Sequence, residues 1–356
     1  MSEDPLDAFD YVLPSDRIAQ HPPPERDGGR LLVLERSGGC CRHSRVRELP
    51  RWLREGDLLV VNATRVLSAR LRGHKASGGV AEALLLGADA SHPSSPSNSL
   101  SHPTSYRALL RASGRRREGE KFRFGSPEAG IDAEIAELGA EGVVRLVFQP
   151  GALPYSVGET PLPPYIRRDA PVANDAERYQ TTFARVPGSV AAPTAGLHLS
   201  SRLLADLARA GVEQAELVLH VGPGTFRPVT PAAWAQGRLH AEPFDLSEET
   251  AEQIARARRR GGRIVAVGTT TARVLETCAD RDGVVRPGRG QTELFLRPGS
   301  QFRAVDHLLT NFHLPRSSLL LLVAAFAGRE PILAAYAEAI REGYRFYSYG
   351  DAMLIR

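Results

Sequence analysis

Apolar residues in this chain form short continuous runs in some regions and short alternating runs in others. From Gly56 the chain reads GDLLVVNATRVLSARL, which predicts a buried strand at Leu58–Val61 followed by an Asn-Ala-Thr-Arg turn. Between residues 73 and 151, runs such as YRALLRA, EKFRFG and GVVRLVF alternate and are separated by Gly, Ser and charged residues. This second pattern predicts a small all-β unit closed into a barrel.

The stretch at residues 88–105, ADASHPSSPSNSLSHPTS, breaks the alternation inside this β unit. Its bias toward Ser, Pro and His is typical of a disordered loop. We therefore expect it to connect two strands of the barrel, and the sequence assigns it no function.

After residue 169, predicted helices alternate with predicted strands. Ser200 and Ser247 are predicted N-caps of helices that end at Gly211 and Gly261, and AELVLHV, RIVAVG and TELFL read as strands. Such alternation implies a sheet covered by helices, and the segment before residue 60 has the same character. The predicted fold is a larger α/β domain with α+β layers, formed by residues 1–72 and 152–356, into which a small all-β barrel domain at 73–151 is inserted.

The apolar run Leu319–Ala327 is much shorter than the roughly 20 residues that span a bilayer. It predicts a core helix that begins near Pro315 and ends at Gly328. The loop before this helix is polar and carries Thr310, Asn311 and His313. The helix N-terminus would favour an anionic or polar ligand there, and the alternative is that these side chains only satisfy a turn.

The composition is that of a globular protein, with 356 residues, 42% hydrophobic and 24% charged. The first residues, MSEDPLDAFDYVLP, are acidic and contain no export signal, which predicts a cytoplasmic protein without a membrane anchor. The cysteines Cys40, Cys41 and Cys278 fit neither a disulfide framework nor zinc-ligand spacing, so we expect reduced thiols.

The net charge of +4 permits a polyanionic partner without requiring one. Arginines cluster in two places, Arg115–Arg117 and the set Arg256, Arg258, Arg259, Arg260 and Arg263. Either cluster is dense enough to contact phosphates, and the alternative is a solvated charged face.

Polar, glycine-rich turns follow several predicted strands, which is where open α/β sheets bind ligands. The candidate side chains in these turns are Thr194, Gly196 and His198; His220, Gly224, Thr225 and Phe226; His240 and Glu242; and Thr269, Thr270 and Arg273. The pair Gly222 and Gly224 lacks the third glycine and the helix of a dinucleotide-binding site, which excludes that cofactor. The VGTTTAR turn can bind a phosphate, carboxylate or ribose, or its threonines can simply cap the helix.

The histidines show neither the helical spacing nor the cysteine partners of a zinc site, so we expect no metal. A GxSxG nucleophile motif is also missing. Imidazole and carboxylate groups suit proton transfer near neutral pH. The candidates for this role are His220, His240, Glu242 and His313.

Eight segments in colinear order resemble those of the S-adenosylmethionine:tRNA ribosyltransferase-isomerase family of queuosine biosynthesis. They are YVLPSDRIAQHPPPERDGGRLLVL, GDLLVVNATRV, APTAGLHL, HVGPGTFRPV, LHAEPF, AVGTTTARVLE, LTNFHLPRSSLLLLVAAFAG and YRFYSYGDAMLI. The segment RLHAEPF keeps His240 and Glu242 but has Pro243 where the family has an aromatic residue.

The resemblance implies transfer of the ribosyl part of S-adenosylmethionine to 7-aminomethyl-7-deazaguanine at the tRNA wobble position. The products would be epoxyqueuosine-tRNA, adenine and methionine, with S-adenosylmethionine as co-substrate and no recycled cofactor or metal. It also implies an α/β domain with an inserted β-barrel, and we expect a monomer.

Under this resemblance, the proton-transfer candidates would deprotonate C5′ beside the sulfonium and protonate the leaving adenine. Arg273 and the Thr269–Thr270 turn would bind the methionine carboxylate, while Phe226 or Phe312 would stack on a base or face the sulfonium. Glu293 and Asp306 would recognise the aminomethyl group, and Asn311 belongs to the substrate site. The expected tRNA contacts are Arg256, Arg259 and Arg260.

Two rival functions are a non-catalytic RNA-binding module and a relative acting on another small nucleoside. A methyltransferase that uses the same co-substrate is a third, although its glycine-rich strand-to-helix signature is absent. The proton-transfer residues argue against a module that only binds.

Overall fold

The computed structural model describes residues 4–89, 104–168, 172, 174–222, 224 and 229–356. Its strands are β1 (Arg30–Leu34), β2 (Cys41–Arg45), β3 (Leu58–Asn62), β4 (Thr64–Val66), β5 (Arg70–Lys75), β6 (Val80–Ala88), β7 (Ser105–Ala112), β8 (Lys121–Phe124), β9 (Ile131–Leu138), β10 (Val143–Phe148), β11 (Val186–Ser189), β12 (Glu213–Leu219), β13 (Arg238–Leu246), β14 (Ile264–Val267), β15 (Gly288–Leu294), β16 (His307–Asn311) and β17 (Ala352–Ile355). Its α-helices are α1 (Asp175–Arg178), α2 (Ser201–Arg209), α3 (Pro231–Gln236), α4 (Glu248–Arg259), α5 (Thr269–Cys278), α6 (Ser318–Ala327) and α7 (Arg329–Arg341).

A nine-stranded sheet in the order β15-β13-β12-β3-β14-β16-β17-β1-β2 forms the larger part of the molecule. Neighbouring strands from β12 to β16 run parallel, whereas β13 and β17 are antiparallel to β12 and β16. In β3, Leu58 and Val60 pack into the core on one face, and Leu59 and Val61 into the core on the other. Burial on both faces explains why this strand is a continuous apolar run rather than an alternating one.

The β unit is a closed six-strand barrel with the order β10-β7-β6-β5-β8-β9, which confirms the predicted mixed fold with an inserted barrel. The chain leaves the larger sheet after β3, and the two strands that flank the barrel, β4 and β11, pair with each other in a separate two-stranded sheet. Barrel strands run from Arg70 to Phe148, while the predicted domain boundaries at 73 and 151 stay predictions. The stretch at 88–105 joins the paired strands β6 and β7 as expected, and its residues 90–103 lie outside the described part of the chain.

The predicted start of the apolar core helix was wrong by one turn. Helix α6 begins at Ser318, and the Ser317 side chain caps it by accepting from the backbone N–H of Leu320. Thr310 and Asn311 lie in β16 rather than in a loop, because they pair with Met353 and Ala352 of the C-terminal strand. Among the described helices none is long and apolar enough by itself to cross a bilayer, and α6 and α7 meet that criterion only as a pair bent by 114°.

Candidate active site

Four parallel strands, β12, β3, β14 and β16, end at one side of the sheet, here called the carboxyl edge. Ligands of open α/β sheets bind at this position. The carboxyl edge, with the segments packed on it, brings together Thr194, Gly196, His198, His220, Gly224, His240, Glu242, Thr269, Thr270, Arg273, Asn311 and His313. Residues from five separate sequence motifs therefore share one region.

A cavity of about 410 Å³ opens at the β16 end of this edge. Its polar wall consists of Tyr165, Thr194, Asn311, His313, Tyr347 and Ser348. Its apolar wall consists of Leu6, Val229, Phe312, Leu314, Pro315 and Leu319, with Asp4, Arg316 and Ser317 completing the lining. The volume and the mixture of apolar walls with a few polar groups are typical of a small-molecule site.

Asn311 belongs to the polar wall, and its side chain contacts that of His198. The Asn311 amide nitrogen Nδ2 donates to the Tyr347 carbonyl at 2.9 Å and lies 3.1 Å from His198 Nε2. Burial, aided by the charge of Arg345, lowers the pKa of His198 to about 4, so the ring is neutral at pH 7 and Nε2 accepts. Asn311 Oδ1 is left buried with no hydrogen-bond partner among the described residues.

His313 is fixed at its backbone and at its ring. Its N–H donates to the hydroxyl of Tyr336 at 2.9 Å, and its carbonyl accepts from the hydroxyl of Tyr11. The ring atom Nε2 lies 2.8 Å from the Oγ1 atom of Thr310. Burial lowers the pKa of His313 to about 3, which makes the ring a neutral hydrogen-bonding group of fixed orientation.

The short turn Thr194–His198 packs across the end of β16. Gly196 in this turn has no room for a side chain, because a Cβ atom there would lie 2.8 Å from the ring of Phe183. Gly196 thus serves close packing, while Thr194 lines the cavity and His198 contacts Asn311.

His220 follows β12, and its Nδ1 atom lies 2.8 Å from Oγ1 of Thr64. Burial lowers the pKa of this half-buried imidazole, which favours its neutral form at pH 7. The backbone of Gly188 runs so close that a Cβ atom there would lie 2.6 Å from the His220 ring. The orientation of His220 is therefore set by a hydroxyl group on one side and a glycine backbone on the other.

Asn62 and Thr64 were missing from the predicted site residues. The Asn62 side chain donates to the Leu219 carbonyl at 3.0 Å and accepts from the N–H groups of Leu219 and Thr64, each at 3.1 Å. It thereby joins the ends of β3 and β12 next to His220. The signal was available, since Asn62 directly follows the apolar run Leu58–Val61 and Thr64 comes two residues later.

Glu242 and Arg273 form a buried ion pair between β13 and α5, each with only 5% of its side chain exposed. Arg273 also donates to the Leu294 carbonyl at 3.1 Å, and Glu242 Oε1 accepts from the Gly222 N–H at 2.8 Å. Arg273 therefore fixes Glu242 in this structure, and its binding of a ligand carboxylate stays a prediction. The pair thereby fixes the backbone at Gly222.

The VGTTTAR turn places Gly268 at the N-cap of α5 with φ 90°, and no side chain caps this helix. The alternative that Thr269 or Thr270 caps it is therefore wrong. Thr270 Oγ1 instead lies 3.4 Å from the Asn62 amide, and Thr271 Oγ1 donates to the Val267 carbonyl at 2.8 Å. The helix N-terminus points to the carboxyl edge without a side-chain cap.

Asp306 lies at the opposite edge of the sheet, because β16 runs from one edge to the other between Asp306 and Asn311. Its Oδ2 atom accepts from the Ile264 N–H at 2.7 Å. It borders a different cavity, of about 580 Å³, together with Arg263, whose guanidinium pairs with Asp57 at 2.5 Å. Asp306 is thus separated from the other candidates by the length of a strand.

Two other predicted residues are Glu293, which is not among the residues that line the cavity, and Phe312, which is. Glu293 is exposed on β15, 3.6 Å from Arg238. Phe312 belongs to the cavity lining, but its ring is fully buried, with its centroid 4.8 Å from that of Phe346 and 5.3 Å from that of Tyr336. Its stacking on a ligand stays a prediction. Thr225 and Phe226 are outside the described residues.

The predicted tRNA contacts lie at the C-terminal end of α4, at the edge where β14 begins and opposite the carboxyl edge. Arg260 pairs with Glu213 at 2.7 Å, and Arg256 lies 3.9 Å from Glu252. The prediction that Arg256, Arg259 and Arg260 contact tRNA is not tested by these positions and stays a prediction.

His240 is exposed at the start of β13, and its ring packs beside Gly224, where a Cβ atom would lie 2.7 Å from Cδ2. Across the part of the chain that is described, no cluster of three or more His, Cys, Asp or Glu side chains has the arrangement of a metal site.

Comparison with known proteins gives consistent matches over nearly the whole chain. A family model described as "Queuosine biosynthesis protein" matches residues 6–355. The S-adenosylmethionine:tRNA ribosyltransferase-isomerase of Anaeromyxobacter dehalogenans is 51% identical over 355 residues, covering 98% of this chain and 99% of that protein. The protein of the same name from Pelobacter propionicus is 48% identical over 352 residues, 98% of each chain. A crystal structure of S-adenosylmethionine tRNA ribosyltransferase from Thermotoga maritima is 34% identical, with a TM-score of 0.54, and the match covers 98% of this chain and 100% of that one.

Proposed function

The chain belongs to the queuosine biosynthesis family of S-adenosylmethionine:tRNA ribosyltransferase-isomerases, and from this membership we propose how its residues divide the reaction among them. The enzyme transfers the ribosyl part of S-adenosylmethionine to tRNA and isomerises it. In this proposal the acceptor is 7-aminomethyl-7-deazaguanine at the wobble position. The products are epoxyqueuosine-tRNA, adenine and methionine.

The buried, unpaired Oδ1 atom of Asn311 is the observation that supports the cavity as the S-adenosylmethionine site. A buried acceptor without a donor costs about 1–3 kcal/mol, which a ligand that donates to it recovers. The ribose hydroxyls and the adenine amino group are such donors. We assign the nucleoside part of S-adenosylmethionine to the polar wall, with Asn311 accepting from it and Thr194 and neutral His313 completing its contacts.

Proton transfer is assigned to His220. The sulfonium makes the C5′ hydrogens acidic, and a neutral imidazole can accept one of them. Because Nδ1 of His220 is held by Thr64, Nε2 is the nitrogen that takes the proton. His313, with its pKa near 3, is too weak a base for this step and is assigned to hydrogen bonding.

Adenine leaves as a neutral molecule only if it gains a proton, which requires an acid. His240, exposed at the start of β13 beside the Gly222–Gly224 turn, is the candidate for this second transfer. The Glu242–Arg273 ion pair holds Gly222 in place, so we give both residues a positioning role.

Proton transfer requires S-adenosylmethionine to extend from the Asn311 wall along the carboxyl edge, so that C5′ and the adenine approach His220 and His240. Three strand spacings separate β12 from β16, which is roughly 14 Å. A wobble base that is unpaired in the anticodon loop can enter beside His220 while S-adenosylmethionine fills the cavity. We further propose a monomer that modifies tRNA in the cytoplasm with no metal or recycled cofactor.

The test is incubation of the purified protein with S-adenosylmethionine and tRNA carrying 7-aminomethyl-7-deazaguanine, followed by mass analysis of nucleosides and released small molecules. We expect epoxyqueuosine, adenine and methionine in equal amounts, and about 100-fold less of each, or lower, with Asn311→Ala. Unchanged substrates from folded protein that still binds tRNA would favour a binding module. Methylated tRNA with S-adenosylhomocysteine would indicate a methyltransferase.

A further inference from the structure

An ion-pair group at the mouth of the cavity has no role in the assignments made so far. The Arg316 guanidinium lies 2.6 Å from Asp4 Oδ2 and 3.1 Å from Asp7 Oδ1. Both Arg316 and Asp4 line the cavity, and about two-fifths of each side chain is exposed, 42% and 43%. These charges stand beside the apolar wall formed by Leu6 and Leu314.

The backbone at Arg316 is in the left-handed region, with φ 56°, which a residue with a side chain seldom adopts. Its N–H donates to the Phe9 carbonyl at 3.1 Å, which ties the N-terminal segment to this turn. Backbone strain of this kind is found where the surrounding structure requires a side chain in one place. Exposed ion pairs contribute little to stability, so the pairs with the aspartates do not by themselves account for it.

The amino-acid end of S-adenosylmethionine carries an α-carboxylate and an α-ammonium, joined through methylene groups to the sulfonium. A guanidinium beside a carboxylate matches this zwitterion, because each ligand charge meets the opposite charge in a charge-assisted hydrogen bond. The neighbouring leucines match the methylene groups. With Asp7 included, the group has a net charge of −1 against the net +1 of the ligand.

We propose that Arg316 binds the α-carboxylate and Asp4 the α-ammonium of S-adenosylmethionine, so that the cavity mouth selects the complete molecule over its nucleoside fragments. This inference rests on the proposed function, which places the nucleoside part on the Asn311 side of the same cavity. Asp7 keeps one contact with the guanidinium and orients it.

The test compares Arg316→Gln with the wild-type protein by calorimetric titration of two ligands. One is S-adenosylmethionine, and the other is 5′-deoxy-5′-methylthioadenosine, which lacks the amino-acid end. Removal of a charge-assisted hydrogen bond should weaken S-adenosylmethionine binding about tenfold or more. Binding of the truncated nucleoside should stay within about twofold, a difference of less than half a kcal/mol. Asp4→Asn should weaken the binding of S-adenosylmethionine alone as well.

Arg329→Gln is the matched control, since Arg329 is a half-exposed arginine on α7 that pairs with Glu330 at 3.9 Å. Unchanged binding of S-adenosylmethionine to Arg316→Gln, or an equal weakening of both ligands, would overturn the proposal. If Arg316→Gln fails to fold, Arg316→Lys provides the same comparison, because lysine keeps the positive charge but cannot donate two parallel hydrogen bonds to a carboxylate. Asn311→Ala tests the cavity itself: retention of both ligands there would refute the site assignment, whatever the Arg316 variants do.

Discussion

The side chains of Asn311 and His198 meet at the wall of the cavity, with 3.1 Å between Nδ2 and Nε2, although 113 residues separate them in the chain. The contact fixes the protonation of the imidazole, because an amide nitrogen can only donate. It also turns the amide so that its oxygen has no partner among the described residues. One hydrogen bond thereby prepares an acceptor for a ligand.

Replacing Asn311 with Ala should lower turnover by about 100-fold or more, because both this acceptor and the support of His198 are removed. Since the amide is buried and donates to the Tyr347 carbonyl, we also expect a loss of about 1–3 kcal/mol in the free energy of unfolding. Asn311→Asp should be equally inactive, because a carboxylate cannot donate to that carbonyl. Single-turnover assays measure the effect on turnover, and urea unfolding measures the effect on stability. Full activity of Asn311→Ala would show that Asn311 has only a structural role.

The hydrogen bond between Thr64 and His220 predicts a graded series of variants. His220→Ala should lower kcat by a factor of about 10²–10⁴, the usual contribution of a general base. Thr64→Val keeps the volume but removes the hydroxyl, so we expect a smaller loss, about tenfold, with the KM for S-adenosylmethionine little changed. Thr64→Ser is the control and should retain activity. If His220→Ala keeps full activity, a residue other than His220 is the general base.

The Glu242–Arg273 pair predicts a large asymmetry between single and double variants. Glu242→Gln leaves a buried guanidinium without its counter-charge, which should cost about 3–5 kcal/mol in the free energy of unfolding. Changing both residues, as Glu242→Gln with Arg273→Met, should recover part of this loss. Asp245→Asn is the matched control. Asp245 lies on the same strand as Glu242, 3.8 Å from exposed Arg289, so this substitution should lower the free energy of unfolding by less than about 1 kcal/mol. Additive effects of the two single changes would contradict the coupling.

The buried histidines predict that stability falls in mild acid. Burial lowers the pKa of His198 to about 4 and of His313 to about 3, whereas histidine in the unfolded chain titrates near 6.5. Below pH 6.5 the unfolded state therefore binds protons that the folded state does not, and unfolding becomes easier as the pH drops. Each histidine should contribute about 1.4 kcal/mol per pH unit between pH 6.5 and 4.

His313→Gln should flatten this dependence, since an amide does not titrate and can still bond to Thr310. Urea unfolding at pH 7 and at pH 5 gives the comparison. The wild-type protein should lose about 2 kcal/mol more over this interval than the variant. Parallel losses in both proteins would mean that His313 is not held neutral by its burial.

Elements fixed by local sequence were predicted well. Ser200 and Ser247 cap α2 and α4, because a cap depends on a hydroxyl and an N–H three residues apart. The pairing of β16 with β17 could not be read in the same way, since it joins segments distant in sequence, and Thr310 and Asn311 were consequently placed in a loop.

The same limit applied to the candidate site. Asp306 is close to Asn311 in sequence, but the five residues of β16 extend about 16 Å and put the two at opposite edges. The ion pair between Arg273 and Glu242 could not be predicted from the sequence either, because the distance between the two side chains depends on how α5 packs on β13. Residue type and motif thus indicated the chemistry, whereas partners depended on the fold.

The arginines at the end of α4 give a last prediction that separates binding from chemistry. If Arg256, Arg259 and Arg260 contact tRNA phosphates, changing all three to Gln should weaken binding and lower the slope of log affinity against log salt by about 0.7–0.9 per contact. Their position opposite the carboxyl edge implies that kcat at saturating tRNA stays unchanged. The control changes Arg289, Arg329 and Arg341 to Gln, because replacing these exposed arginines removes the same net charge elsewhere. Equal affinity and equal salt slope for both triple variants would show that the cluster is a solvated face, and the tRNA contacts would then have to lie nearer the carboxyl edge.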